Sequence, residues 1–124
     1  MKFNSFQLIK WPSVNELRKL SNLEEVRFIS NPLNNTDQAT NIREGFIARI
    51  KSMKTFNRTK IHTNDRQGAE IDYMKKNLPE YLSAKESEIK ENFKKFLENH
   101  PRYTELIESN DFIIVKIFIT LTKT

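Results

Sequence analysis

The 124-residue chain has no cysteine, two glycines, four prolines and two histidines. Without cysteine there is no disulfide framework, no thiolate zinc site and no cysteine nucleophile. With glycine only at 45 and 68, no glycine-rich loop can cradle a phosphate, which argues against nucleotide hydrolysis. His62 and His100 lie far apart with no ligand spacing between them, so neither a metal nor a cofactor is expected. The most apolar window, FIIVKIFITL at 112–121, falls well short of the ~20 residues that a membrane helix needs. The first residues, MKFNSFQLIKWPS, lack the apolar run of a signal peptide. A cytoplasmic protein that does not enter a membrane is the expectation.

What the chain does have is aromatic residues and charge. Nine Phe, three Tyr and one Trp are too many for a disordered polymer, and the length suits a single domain over 1–124 with one modest core. Heavy use of Lys, Asn and Ile beside four Ala suits AT-rich coding, and points to a phage or mobile-element source. The formal charge is +5, and its distribution matters more than its size. Residues 43–66 hold seven basic and two acidic side chains. That surplus of five equals the net charge of the whole protein.

The hydropathy pattern predicts an α+β fold: a small, largely antiparallel sheet packed with three to four helices, with no internal repeat. Strands are expected at the N-terminus (about 2–10), at 24–30 and at 112–121. The last is apolar on nearly both faces and belongs inside a sheet or at an interface between copies. Ser13 with Glu16 reads as a capping box for a short helix after Pro12. Ala39, Ile42, Phe46, Ile50 and Met53 form the apolar stripe of a helix over roughly 37–55. A further helix starts near Asn64 and ends at Leu78, and Pro79 opens a third over about 80–98.

On a helical wheel Arg43, Lys51 and Lys54 fall together beside that stripe, and Arg58, Lys60, His62 and Arg66 follow in the loop. Cations of this kind neutralise phosphates with little sequence preference, and Phe56 and His62 are of a type that stacks on bases. The expected function is therefore nucleic-acid binding through Arg43, Lys51, Lys54, Phe56, Arg58, Lys60, His62 and Arg66. The alternative is a protein–protein module, a phage or mobile-element inhibitor or assembly factor. It would hold an acidic protein and self-associate through strand 112–121 or Trp11. A toxin-like ribonuclease using His62, with Asp65 and Arg66 beside it, is the third reading. A Glu88-Ile89-Lys90 fragment matches part of a nuclease metal motif, but such a fragment belongs on a strand.

Overall fold

The computed structural model describes residues 2–5, 11–28 and 36–110, with side chains placed for 2, 11–28 and 42–110. The element order is β1 (Lys2–Ser5), α1 (Trp11–Leu17), β2 (Glu25–Phe28), α2 (Thr36–Arg49), β3 (Thr55–Phe56), β4 (Thr59–Lys60), α3 (Thr63–Glu86), α4 (Lys90–Asn99) and α5 (Tyr103–Ser109). The class is α+β, as the pattern predicts. The expected strand at 112–121 lies outside the described residues. The described residues divide into two compact units, up to Tyr73 and from Met74 onward.

The first unit carries the sheet, ordered β1-β2-β3-β4. Its pairing differs from the antiparallel expectation: β1 runs parallel to β2 and β2 parallel to β3, and only the β3–β4 hairpin is antiparallel. Parallel neighbours need a crossover, and α1 and α2 lie within the two connections. Partners Lys2 and Glu25 are 23 residues apart, and Glu25 and Thr55 are 30 apart. Strand, helix, then a strand laid beside the first is the logic of a stacked repeat.

One face of this sheet is apolar. Val26, Phe28 and Phe56 point into a core with Val14, Leu23, Phe46, Ile47, Ile50, Met53, Ile61 and Ala69. Phe46 is its centre, with ring centroids 5.5 Å from Phe28, 5.0 Å from Phe56 and 5.8 Å from Trp11. Of the predicted stripe, Ile42 and Phe46 face the core, while the Ala39 side chain lies outside the described ones and the helix stops at Arg49. Ile50 and Met53 reach the core from the turn that follows.

Two further details depart from the sequence reading. Helix α1 begins at Trp11, which puts Ser13 inside it rather than at its cap. Helix α3 continues through Pro79 to Glu86, so Pro79 sits in a helix interior and not at a helix start. Ser87 makes the break that follows: its hydroxyl accepts from the Ile89 N–H (3.1 Å) and from Asn92 Nδ2 (3.0 Å). Glu88-Ile89-Lys90 thus spans an interhelical turn and the first residue of α4, not the strand its motif would require.

The second unit is helical and held by aromatic rings. Tyr81 lies 4.9 Å from Tyr103 and 5.6 Å from Phe96 between centroids, and Phe96 lies 5.0 Å edge-on to Tyr103. Tyr103 is fully buried and its hydroxyl donates to the Met74 carbonyl at 2.8 Å. A buried phenol must find such an acceptor. His100 ends α4, its N–H donating to the Phe96 carbonyl at 2.9 Å and its ring 4.7 Å from that of Phe96.

Candidate functional site

The basic segment does not fold into one basic helix face. Arg43 is on α2 and half-buried, while Lys51 and Lys54 lie past the helix end, both exposed. The wheel that grouped the three therefore fails after Arg49, because its 100° step holds only where the chain is helical. Lys54 pairs with Glu24 at 3.3 Å.

Phe56 is 5% exposed and packs in the core, so it offers no face to a base. Arg66 is turned inward. Its guanidinium donates to the carbonyls of Ile47 at 2.8 Å and Met53 at 2.5 Å, with Glu70 at 3.9 Å. It ties the end of α2 and the strand-entry turn to α3, the kind of helix-end carbonyl capping that suits a cation.

His62, Asp65 and Arg66 do not assemble an acid–base site. His62 caps α3: its carbonyl accepts the Arg66 N–H at 3.0 Å, and the Asp65 carboxylate reaches back to the His62 backbone N–H at 3.0 Å. That is the back-reaching half of a capping box, with Asp at the third helical position. Asp65 thus serves the helix start, Arg66 serves two carbonyls, and the exposed His62 ring has neither as a catalytic partner. Among the described residues no group of His, Asp and Glu could hold a metal ion.

Arg58 and Lys60 belong to the β3–β4 hairpin. Asn57 (φ 48°) and Arg58 (φ 66°) both occupy the left-handed region. Two central residues with positive φ make the type I′ turn that a two-residue hairpin prefers. Asn57 also continues the parallel ladder with its side chain. Oδ1 accepts from the Phe28 N–H at 2.7 Å and Nδ2 donates to the Phe28 carbonyl at 2.9 Å. The hairpin is therefore pinned to β2 where its own strand has run out.

The pairing register then aligns residues that the linear sequence scatters. Lys2, Glu25, Thr55 and Lys60 are partners in one row across all four strands, on the face opposite the core. Glu25 bridges Lys2 at 3.3 Å and Arg27 at 3.7 Å. Lys2, Glu24, Glu25, Lys54, Thr55 and Lys60 line an open depression of about 390 Å³. Lys2 and Arg27 lie outside the 43–66 window, and a count of local charge could not have joined them to it. The signal that could have found Arg27 is the alternation around Val26 and Phe28, since it implies which residues face out.

A second feature missed from sequence is a polar knot in the core. Arg49 is 5% exposed, with its guanidinium carbon 4.4 Å from the Trp11 ring centroid and 5.0 Å from that of Tyr73. Its Nε donates to Oδ1 of the buried Asn15 at 2.9 Å. Burial holds the guanidinium below its ordinary range, partly opposed by Tyr73, but an arginine stays charged at any physiological pH. Trp11 lies across Gly45, where a Cβ would meet its indole carbons, the second and third at 2.9 and 3.0 Å. Trp11 is thus a lid on the core, with 37% of its surface open, rather than a free anchor for a second copy.

Curated proteins resemble this chain over most of its length. Over 110 residues, 85% of this chain, it is 39% identical to a Xenopus laevis protein, with 21% of that protein covered. That protein is named tubulin-specific chaperone E. The Rattus norvegicus and Homo sapiens proteins of that name are 37% identical over 103 residues and 36% over 104. Each of these matches covers 81% of this chain, and 19% and 20% of the rat and human proteins. The chain spans about a fifth of the length of the curated relatives it matches. No family model and no solved structure matches it.

These tubulin chaperone relatives overturn the nucleic-acid reading, the ribonuclease alternative and the phage or mobile-element origin. The reason the sequence misled is chemical. Lysine and arginine attract the carboxylates of a protein as they do phosphates, so a surplus of cations does not name its partner. No helix among the described residues is long and apolar enough to cross a membrane.

Proposed function

We propose that this chain is a protein-binding module acting on tubulin, in the manner that the name of its relatives describes. The observation that carries the reading is the 36–39% identity to tubulin-specific chaperone E from frog, rat and human over four-fifths of the chain. The geometry supports it. The chain stacks strands in parallel, has one face of the sheet sealed by a core, and turns the other outward with charged side chains; repeat proteins use such faces to hold partners. Lys51, Lys54, Arg58, Lys60 and His62 face solvent, whereas Phe56 and Arg66 are engaged inside. A cytoplasmic site of action goes with this reading.

The test is capture of purified tubulin by the immobilised chain, read by biolayer interferometry against albumin as control. Saturable binding of tubulin alone is the expected result. Equal signals from tubulin and albumin, or none from either, would refute the reading.

A further inference from the structure

We propose that the outward face of the β1–β4 sheet holds an acidic, extended segment of the protein partner, an inference that rests on the protein-binding reading above. Four cations, Lys2, Arg27, Lys54 and Lys60, lie on or beside this face against two carboxylates, Glu24 and Glu25. The carboxylates are already committed. Glu25 serves Lys2 and Arg27, and Glu24 serves Lys54. Lys60 makes no ion pair with any described residue. Arg27 is half-buried, its Nε shielded from solvent with the Glu25 oxygen 3.7 Å away, so it adds positive potential to the face rather than a direct contact.

Arg58 adds an independent observation. It stands at the hairpin tip with φ 66°, a conformation in which glycine is free of the side-chain clash and arginine is not. The type I′ turn imposes this conformation, and it leaves the Arg58 side chain exposed at the hairpin tip. Here the side chain is a further cation, two residues from Lys60.

The spacing suits an extended chain. Strands lie about 4.8 Å apart, so the row from Lys2 to Lys60 spans about 14 Å. In an extended peptide, carboxylates at alternate positions recur about every 6.8 Å, and three of them span the same distance. A segment with acids at alternating positions, laid across the strands, would meet cations at both ends of the row. Glu25, beside Lys2 in the row, would oppose it, which gives the inference a sign that mere stickiness lacks.

The probe is a fluorescein-labelled polyglutamate peptide of about 12 residues, followed by anisotropy at about 50 and 200 mM salt, where exposed charge pairs are screened differently. Each exposed pair contributes up to about fivefold in affinity. Lys60→Glu is expected to weaken binding about fivefold or more, because it both removes an attraction and adds a repulsion. Glu25→Gln is expected to strengthen it about twofold. Arg58→Gly is expected to raise the urea midpoint while weakening the peptide about twofold or more, so a loss of binding there is not a loss of folding. Lys94→Glu, an exposed reversal on α4, is expected to change nothing. Wild-type affinity in both Lys60→Glu and Arg58→Gly, or an equal loss in Lys94→Glu, would overturn the inference. Tubulin held equally by wild type and Lys60→Glu overturns the acidic-segment site but leaves the tubulin reading standing. No tubulin held by the wild type, with polyglutamate bound and lost on Lys60→Glu, overturns the tubulin reading and keeps the site.

Discussion

Arg49→Met tests whether the buried guanidinium is a structural cation of the first unit. Methionine fills much of the same volume, so the cavity term is small. What is lost is specific. Two ring contacts at 4.4 and 5.0 Å disappear, each cation–π contact contributing about 0.5–2 kcal/mol depending on desolvation. The buried Asn15 carbonyl loses the 2.9 Å donor, and a buried acceptor deprived of its donor costs about 1–3 kcal/mol. Removing the desolvated charge offsets part of this, since burial already disfavours the charged form. The net expectation is a loss of about 2–3 kcal/mol. In urea that lowers the midpoint by about 1–2 M. Trp11 is the sole tryptophan and packs on the guanidinium, so its fluorescence reports the transition directly. Adding Asn15→Leu removes the orphaned acceptor, and the double variant is expected to regain about 1–2 kcal/mol, since replacing both partners of a hydrogen bond is milder than replacing one. A single variant within about 0.5 kcal/mol of wild type, or a double variant whose losses simply add, would refute this account of Arg49.

Three further outcomes are expected. Asn57→Ala removes both hydrogen bonds to the Phe28 backbone and puts Cβ-bearing alanine at φ 48°. It should cost about 2–4 kcal/mol and leave the Phe28 amide open to hydrogen exchange, while Asn57→Gly should cost less because its backbone is relaxed; equal protection of Phe28 in wild type and variant would count against the clamp. Tyr103→Phe keeps the ring contacts but deletes the donor to Met74, for about 1–2 kcal/mol in thermal unfolding, whereas an unchanged midpoint would mean that the bond contributes nothing. Glu16 titrates below its ordinary 4.5 because Lys19 hydrogen-bonds to it and attracts its charge. A depressed folded value means the contribution is present above about pH 4.5 and is lost as the pH falls through the folded value. NMR titration should show Lys19→Met returning Glu16 to the ordinary range.

Local patterning carries the α+β class, the core-facing Ile42 and Phe46 of α2 and the surplus of charge in 43–66. These are local properties: a helix face repeats within a few residues, and charge is counted without knowing where it points. Helix starts were less legible: the pattern puts one near Asn64, whereas the Asp65 carboxylate reaches back to the His62 N–H and the helix begins at Thr63.

The tertiary structure alone decided how the strands pair, and most of the site follows from that. Partners 23 and 30 residues apart meet through backbone hydrogen bonds that no side-chain pattern specifies. Once the register is set, it buries Phe56, exposes Lys60 and puts Lys2 in its row. Arg49 and Arg66 show the same limit at single residues. Both count as +1 in any window, yet one is wedged between Trp11 and Tyr73 and the other is spent on two carbonyls. A charge reaches a partner only if the fold leaves it in water, and burial depends on contacts made across the whole chain.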